Sequence, residues 1–428
     1  MNGHSDALAI FDAAVAAAHP LEATAAHLPD LDPGIDRVFV VGAGKAAVAM
    51  AAAVERKYGA RIAKGLVVTK YGHGGALTNI DCWEAAHPVP DAAGVRAAHA
   101  IGEICLGAGE KDLVICLISG GASALLPSPV SGLRLEQKQE TTRLLLACGA
   151  NIHELNCVRK HLSSVKGGQL AHLCSPARLH TYILSDVIGD PLDVIGSGPT
   201  VPDETSFADA WAVIYKYSLE TKIPSAVRHH LEEGVNHRVP ETPKPGDPIF
   251  DRVTNTLIGS NRISIDAAAN QAKELGYTPF VLSTSLDGEA REVAKVFAAM
   301  AREVRESHRP AAPPLAILAG GETTVTLTQH HGLGGRNQEM ALAAALGIQG
   351  LEGVTFLAAG TDGTDGPTNA AGALADGQTL ARAKALDLIA EEFLVRNDSH
   401  QFFEQLKDLI VTGPTGTNVM DVYLLLVE

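Results

Sequence analysis

The strongest constraint on the fold is a repeated pattern in which a short apolar run ends in a glycine-rich turn and an alanine-rich segment follows. The run RVFVV at 37–41 ends in Gly42-Ala43-Gly44-Lys45, and the run DLVICLI at 112–118 ends in Ser119-Gly120-Gly121-Ala122-Ser123. Short runs rich in β-branched residues are typical of buried strands, and the longer segments behind them are typical of helices. Strands that alternate with helices predict an α/β fold with a largely parallel sheet.

The same pattern continues along the chain and predicts further elements. Further strands are expected at residues 65–69, 179–185, 255–259, 278–282, 315–318, 323–327, 354–358 and 418–427. Helices are expected at residues 6–19, from the turn at Lys45 to about 57, and at 135–148, 152–162, 264–275, 289–307 and 337–346. Right-handed crossovers place the carboxyl ends of parallel strands at one edge of the sheet, where ligands bind.

The length of 428 residues predicts two or three domains. Residues 234–251 contain four prolines and few apolar side chains, which indicates a linker. We therefore expect an N-terminal domain over 1–233 and a C-terminal domain over 252–428.

Composition argues against several classes of protein. Thirty-four Lys and Arg against 49 Asp and Glu give a net charge of −15, and an acidic chain is poorly suited to bind nucleic acid, whose affinity comes largely from phosphate neutralisation. No apolar stretch reaches the ~18 residues of a membrane span. The six cysteines form no CxxC pair, and the first residues lack the features of a signal peptide. These features predict a cytoplasmic protein with free thiols.

The turn Gly42-Ala43-Gly44-Lys45 is similar to the dinucleotide fingerprint GxGxxG/A. That fingerprint includes an acidic residue after the second strand, which binds the ribose of the dinucleotide. In this chain the strand at 65–69 is followed by Lys70 instead. Lys45 places an ammonium beside the backbone N–H groups of a helix start, which suits a phosphoryl group. An ordinary turn with a solvated lysine explains the same residues about equally well.

Two other turns of the N-terminal half carry polar groups. The turn from Ser119 to Ser123 offers backbone N–H groups and two hydroxyls to a carboxylate or phosphate, although a tight turn with capping serines is common. Asp186 and Asp190 follow the strand at 179–185. Two acids at a strand end indicate a Mg²⁺ site, with a pair of turn acids as the alternative.

The C-terminal half contains four Gly/Thr-rich turns, each at the edge of an apolar run. They lie at residues 320–324, 332–339, 359–366 and 412–418. Arg336 stands where a helix begins, so its guanidinium would join an anion site at that helix start. Asp362 and Asp365 could bind a metal.

Taken together, the motifs resemble the glycerate 2-kinase family, whose members are also described as hydroxypyruvate reductase-like proteins with a C-terminal MOFRL domain. Two positions depart from the pattern: Ala122 stands where glycine is expected, and His400 lies near an expected aromatic residue. The matching motifs, in family order, are GAGKAA at Gly42, TKYGH at Thr69, HPVPD at His87, SGGASALL at Ser119, SDVIGD at Ser185, GSGPTVPD at Gly196, GGETTVT at Gly320, GGRNQE at Gly334, AAGTDGTDGPTNAAGA at Ala358 and TGPTGTNVMD at Thr412.

The resemblance implies transfer of the γ-phosphoryl group of ATP to the 2-hydroxyl of D-glycerate, with Mg²⁺ as cofactor. It implies an α/β fold: a Rossmann-like N-terminal αβα domain and a smaller mixed α/β C-terminal domain with the MOFRL region at about 313–428. The active site is expected in the cleft between them. The sequence does not fix the oligomeric state; a homodimer is taken as the working assembly.

Roles for individual residues follow from this chemistry, because phosphoryl transfer needs positioning, cations and a metal rather than a covalent nucleophile. Lys45, Arg336 and Asp190 are the predicted catalytic residues. The Mg²⁺ or general-base candidates are Asp186, Asp190, Glu322 and Asp362. The predicted donors to substrate or nucleotide are Gly42, Gly44, Ser119, Gly120, Gly121, Ser123, Gly334, Gly335, Asn337, Thr415 and Asn418.

Two other functions are weighed against the kinase. A nicotinamide-dependent hydroxypyruvate reductase is suggested by GxGxxA and by the alternative family description, but Lys70 argues against it. A non-catalytic sensor of small carboxylates would have no use for metal ligands, so Lys45, Arg336 and the acids argue against it.

Overall fold

The computed structural model describes residues 2–428, and the chain folds into two compact units. The middle unit is Pro20–Ile258, and the terminal unit combines the residues up to His19 with Gly259–Glu428. No helix among residues 2–428 is both long and apolar enough to cross a membrane.

Residues 2–428 contain twelve strands, which form two six-stranded sheets. They are β1 (Val38–Ala43), β2 (Ile62–Lys70), β3 (Asp81–Ala85), β4 (Leu113–Ile118), β5 (Arg178–Leu184), β6 (Val253–Gly259), β7 (Thr278–Leu286), β8 (Leu315–Gly321), β9 (Val354–Gly360), β10 (Gly372–Asp376), β11 (Leu409–Ile410) and β12 (Asp421–Val427).

The same range contains sixteen α-helices and three short 3₁₀ turns, which lie at Gly59–Arg61, Ile195–Ser197 and Pro248–Arg252. The helices are α1 (Gly3–Ala17), α2 (Pro20–His27), α3 (Ala47–Tyr58), α4 (Ala92–Leu106), α5 (Ala122–Leu125), α6 (Leu135–Ala147), α7 (Ile152–His161), α8 (Gln169–Cys174), α9 (Phe207–Lys216), α10 (Ser225–Val235), α11 (Asn261–Glu274), α12 (Ala290–Ser307), α13 (Arg336–Ile348), α14 (Thr379–Ala385), α15 (Ala390–Val395) and α16 (Ser399–Leu406).

The sheet of the middle unit has the order β3-β2-β1-β4-β5-β6, and its strands from β3 to β5 pair in parallel. Successive side chains of a strand point to opposite faces. Val38 and Val40 therefore join the core cluster that holds Met50 of α3, whereas Val41 joins the cluster that holds Ile101 of α4. Helices cover both faces, which confirms the predicted parallel α/β fold and explains why β1 is apolar along its whole length.

The sheet of the terminal unit is mixed and has the order β11-β10-β9-β12-β8-β7. Strands β7 and β8 are parallel, while the other pairs are antiparallel. The final strand β12 lies between β8 and β9, so the chain end is enclosed by two partners. Phe297 of α12 and Phe11 of α1 belong to the two clusters on opposite faces of this sheet.

The units divide the chain differently from the predicted domain boundaries at its start. Helix α1 belongs to the terminal unit, where Ile10 and Phe11 are fully buried. Each such side chain contributes about 1.5–3 kcal/mol through burial. The apolar pattern of this helix predicts that one face is buried, but it carries no information about which sheet covers that face.

The predicted linker at 234–251 also differs, because it packs on the middle unit. The Thr242 hydroxyl donates a hydrogen bond of 2.9 Å to Asp203, and the backbone N–H of Asp203 donates to the carbonyl of Pro243 at 2.9 Å. Strand β6, which was expected in the C-terminal domain, is the sixth strand of the first sheet. The prolines correctly indicate that this segment has an irregular backbone. They do not indicate whether such a segment links two domains or packs on one of them.

One predicted strand is wrong and three strands were missed. Residues 323–327 form only an isolated bridge between Thr324 and Glu289, because no neighbouring strand is available to pair with this alternating segment. Strands β3, β10 and β11 lack the dense apolar run that marks a buried strand in the sequence. The remaining predicted strands and helices are present, with ends shifted by a few residues.

Candidate active site

The turns after β1 and β4 are joined directly by hydrogen bonds. The backbone N–H of Lys45 donates to the carbonyl of Gly120 at 2.9 Å, and that of Ser119 donates to the carbonyl of Ala43 at 3.1 Å. The Ser119 hydroxyl accepts a hydrogen bond of 3.1 Å from the N–H of Ala46. The two motifs that the sequence singled out therefore form one structure at the carboxyl edge of the sheet.

Close packing explains the glycines of these turns. A Cβ atom on Gly42 would lie 2.5 Å from the carbonyl oxygen of Leu117, and one on Gly44 would lie 2.7 Å from that of Ser119. A Cβ atom on Gly120 would overlap the carboxylate of Asp186. The first two glycines allow the turns to meet, and the third allows the Asp186 carboxylate to approach the backbone closely.

Gly44→Ala is expected to lower the free energy of unfolding by about 2–4 kcal/mol, because the added methyl group overlaps Ser119 and the backbone φ of 141° is strained for alanine. Chemical denaturation followed by circular dichroism measures this change. Gly72→Ala is the matched control, since Gly72 has a φ of 75° and no atom within 4 Å of an added Cβ. It should cost only about 1–2 kcal/mol. Equal losses in both variants would contradict the packing argument.

Asp186 lines a pocket of about 280 Å³ together with His87 and the turn Ser119–Ser123. Burial raises the pKa of Asp186, although the positive charge of Lys45 acts in the opposite direction. Burial also lowers the pKa of His87, and the charges of Lys45 and Lys70 lower it further. Lys45 is therefore close enough to influence both groups. No ion pair of Lys45 is found among residues 2–428.

The back of this pocket is formed by a chain of hydrogen bonds that the sequence did not reveal. The ammonium of Lys166 donates to the Ser123 hydroxyl at 3.0 Å, and the hydroxyls of Ser123 and Ser197 are 2.8 Å apart. Ser197 donates in turn to the side-chain oxygen of Asn156 at 2.9 Å. These hydrogen bonds fix the orientation of Ser123, one of the predicted donors to substrate.

Asp190 lies at the end of the turn that follows β5. Its backbone has a φ of 55°, and its N–H donates to the carbonyl of Val187 at 3.1 Å. Its Oδ1 is buried without a hydrogen-bond partner in the described part of the chain. A buried carboxylate oxygen without a partner is costly, and a cation bound there would remove that cost.

The predicted acids do not form one cluster within either unit. In the described range 2–428, no three His, Cys, Asp or Glu side chains come together as a metal site. Mg²⁺ is usually held by one or two carboxylates together with waters and substrate phosphates. Asp190 with its unpartnered oxygen therefore fits a substrate-associated Mg²⁺ better than a fully enclosed protein site.

In the terminal unit, Arg336 begins helix α13 and is held by Asp421 of β12. Its Nε and Nη2 donate to the two carboxylate oxygens of Asp421 at 2.5 and 3.0 Å, and its Nη1 lies 3.0 Å from Glu322. Burial disfavours the charged guanidinium, but Asp421 and Glu322 more than offset this effect and raise the pKa of Arg336. Glu322, predicted as a metal ligand, is thus an ion-pair partner of Arg336.

Asp365 binds the N-terminus of the same helix. Its two carboxylate oxygens accept hydrogen bonds from the backbone N–H groups of Asn337 at 3.1 Å and Gln338 at 2.9 Å. Asn337 also donates to Asp421 at 3.0 Å. Burial raises the pKa of Asp365 to about 6, against the effect of these hydrogen bonds. The side chains that hold Arg336 and Asn337 in place are therefore themselves buried acids.

The other predicted residues of the terminal unit lie in its turns. Gly334 and Gly335 approach Ser399 and Asp365 so closely that a side chain would overlap them. The carboxylate of Asp362 accepts hydrogen bonds from the backbone and hydroxyl of Thr364, within its own turn. The hydroxyl of Thr415 donates to the carbonyl of Thr361 at 2.6 Å, and the side chain of Asn418 accepts from the N–H of Met420 at 3.0 Å.

Sequence reasoning missed Asp421, Lys166 and Arg159. Asp421 stands at the end of a motif that was noticed, TGPTGTNVMD, but its pairing with Arg336 depends on β12 lying next to β8. Arg159 and Lys166 lie in the segment VRKHLSSVKGG, where nothing in the spacing distinguishes a buried cation from a surface one.

Comparison with known families finds two matching models. A family model described as a domain of unknown function, DUF4147, matches residues 6–232. A second model, described as the MOFRL family, matches residues 315–421.

Relatives cover almost the whole chain. The D-glycerate 2-kinase of Thermotoga maritima is 43% identical over 98% of this chain and 97% of its own length. A putative hydroxypyruvate reductase of Agrobacterium vitis is 44% identical over 98% of this chain and 93% of its own. The crystal structure of glycerate kinase from Thermotoga maritima matches 99% of both chains with a TM-score of 0.93 and 42% identity.

Proposed function

The chain belongs to the family of glycerate kinases, and from this premise we propose that it transfers the γ-phosphoryl group of ATP to the 2-hydroxyl of D-glycerate. The observation that carries the proposal is the joined pair of turns after β1 and β4, with Lys45 on one turn and Asp186 beside the other. Phosphoryl transfer to an alcohol requires a cation, hydrogen-bond donors and a group that accepts the proton. Lys45 has no ion-pair partner among residues 2–428, the turns offer backbone N–H groups, and burial raises the pKa of Asp186.

Asp186 is our candidate for the group that accepts the proton of the 2-hydroxyl. Its raised pKa makes proton uptake more favourable than it is for an exposed aspartate. Ser119 and Ser123 lie in the same pocket and would orient the acceptor through their hydroxyl groups. Lys45 would stabilise the negative charge of the group in transfer.

Mg²⁺ would be held by Asp190, whose buried Oδ1 has no hydrogen-bond partner among residues 2–428, together with phosphate oxygens of the nucleotide. When bound, the ion would neutralise charge on the phosphate chain. Glu322 and Asp362 are given no metal in this scheme, because one pairs with Arg336 and the other accepts hydrogen bonds within its own turn.

Arg336 is our second candidate cation for the anionic groups of the substrates. Asp421 engages two of its nitrogens and fixes the plane of the guanidinium, so that little conformational entropy is lost when an anion binds. Gly42, Gly44, Gly334, Gly335, Asn337, Thr415 and Asn418 would shape the turns around these groups rather than react. A cytoplasmic location belongs to the same proposal and is supported by six free cysteines.

The competing function is a nicotinamide-dependent hydroxypyruvate reductase, the activity named for the Agrobacterium relative. Strand β2 ends in Lys70, at the place where dinucleotide-binding folds use an acid to hold the ribose. Two assays on the same preparation separate the alternatives: ADP release from ATP and Mg²⁺ with D-glycerate, and NADH or NADPH oxidation with hydroxypyruvate. We expect activity only in the first. Oxidation of the nicotinamide without ADP release would overturn the proposal.

A further inference from the structure

A second pocket of the middle unit is lined by three cations that form no ion pair among residues 2–428, and by Arg143, which is paired with Glu140. Lys138 of α6, Arg159 of α7 and Lys166 all line a cavity of about 510 Å³. The two lysines are almost completely buried, with 5% and 1% of their surface exposed.

The hydrogen-bond partners of the two lysines are neutral groups. The ammonium of Lys138 donates to the carbonyl of Pro127 at 2.9 Å, and that of Lys166 donates to the carbonyl and hydroxyl of Ser123 at 2.9 and 3.0 Å. Within residues 2–428, neither lysine nor Arg159 forms an ion pair, whereas the adjacent buried Lys160 lies 3.3 Å from both Asp193 and Asp203. Of the three buried lysines in this region, Lys160 therefore has acidic partners, whereas Lys138 and Lys166 have none among residues 2–428.

Two buried lysines without an ion-pair partner among residues 2–428 are energetically unfavourable, and the half-buried Arg159 adds a third positive charge nearby. Burial lowers the pKa of both lysines well below the usual value, and the charge of Arg159 lowers them further. An anion in the pocket would reverse this effect and restore the charged form of the lysines. An anionic ligand would thus stabilise the arrangement.

The shape of the pocket limits the kind of anion. Its apolar wall contains Pro88, Val89, Pro90, Pro127 and Leu146, and its volume is in the range of sites for drug-sized ligands. Glu136 and Glu140 also line it, and Glu140 is already paired with Arg143 at 2.7 Å. An apolar wall opposite a cationic cluster suits a ligand with a flat apolar part and several negative charges.

This pocket adjoins the smaller one that contains Asp186. The two share Pro88, Ser123 and Arg159 as lining residues. The guanidinium of Arg159 makes no hydrogen bond in the described part of the chain, so its donors remain available between the two pockets. A ligand in the larger pocket can therefore present one end to the acceptor in the smaller pocket.

We propose that the pocket lined by Lys138, Arg159 and Lys166 binds the nucleotide, with its phosphate chain against Arg159 and its base against the proline-rich wall. This inference rests on the proposed function and deepens it, because it assigns the donor to one pocket and the acceptor to the other. In this arrangement Arg159 contacts the phosphates. The buried Lys138 and Lys166 contribute positive electrostatic potential to the phosphate site without contacting the phosphates.

Arg159→Met tests the contact. We expect the Kd for ADP, measured by calorimetry, and the KM for ATP to rise at least tenfold, because a charge-assisted contact to phosphate is lost. The KM for D-glycerate should stay within twofold. Arg238→Met is the matched control, since Arg238 pairs with Glu233 on the exposed surface of the same unit, and it should leave all three values unchanged.

A charge series at Leu146 tests the pocket without changing a buried residue. Leu146 is 59% exposed and lines the same cavity, so substitutions there should not affect folding. Leu146→Glu is expected to weaken ADP binding about threefold or more, and Leu146→Lys to strengthen it, with both effects reduced by salt. Leu106 is equally exposed and lies outside the lining, so the same pair of changes there should have no effect.

Each outcome decides the proposal. A rise confined to the KM for D-glycerate would assign the cations to the acceptor carboxylate and overturn the proposal. Unchanged ADP binding in Arg159→Met, together with no charge effect at Leu146, would also overturn it. Calorimetry with ADP requires no turnover. A protein that binds ADP through Arg159 but does not phosphorylate glycerate would therefore contradict the proposed function and leave this inference standing.

Discussion

Lys45→Met is expected to lower kcat for phosphoryl transfer by about 10²- to 10⁴-fold, while the thermal unfolding temperature changes by no more than about 2 °C. Lys45 forms no ion pair in the described chain, and its backbone N–H, which joins the two turns, remains in the variant. The loss is therefore that of a charge near the transferred group and not that of a structural contact. Steady-state ADP release and differential scanning calorimetry on one preparation measure both quantities.

Lys64→Met is the control for the Lys45 variant. Lys64 is an exposed lysine of β2, so its removal changes the net charge by the same amount at a distance from the turns. It should retain turnover within twofold. Similar losses of activity in the two variants, or a large loss of stability in Lys45→Met, would contradict the role given to Lys45.

Arg336→Met is expected to lower the free energy of unfolding by about 3–5 kcal/mol, in addition to its effect on turnover. The substitution leaves Asp421, which has no exposed surface, without its principal cationic partner. Breaking a buried ion pair from one side is costly because the remaining charge is poorly solvated. Urea denaturation followed by circular dichroism gives the change.

Two further variants separate this explanation from a general packing defect. Arg336→Met combined with Asp421→Asn should recover part of the lost stability, since the uncompensated charge is gone. Arg238→Met, which breaks an exposed pair, should cost less than about 1 kcal/mol. No recovery in the double variant would show that the charge of Asp421 is not the cause.

Local sequence patterns predicted the parallel α/β sheet and the turns at its edge. Strands β1 and β4 are apolar along their whole length because helices cover both faces, and each ends in glycines that close packing requires. A glycine-rich turn after a buried strand therefore identifies both the element and its end. Because parallel strands end at the same edge of the sheet, Lys45, Ser119 and Asp186 lie close together although they are far apart in sequence.

Partners across long sequence distances were not predictable. Arg336 and Asp421 are paired through the position of β12 between β8 and β9, and no local pattern encodes that order. The same applies to Lys166, which is buried through contacts with the distant residues Ser123 and Gly196. The sequence suggested that Glu322 binds a metal, because an acid after a strand looks the same whether its partner is an ion or an arginine.

The most direct test of the central claim identifies the product of D-glycerate, ATP and Mg²⁺ with enolase present and phosphoglycerate mutase absent. Enolase dehydrates 2-phosphoglycerate and gives an increase in ultraviolet absorbance, whereas the 3-isomer requires the mutase first. We predict an increase without mutase that is lost in Lys45→Met. An increase that appears only after mutase is added would contradict transfer to the 2-hydroxyl, and no increase under either condition would contradict the kinase itself.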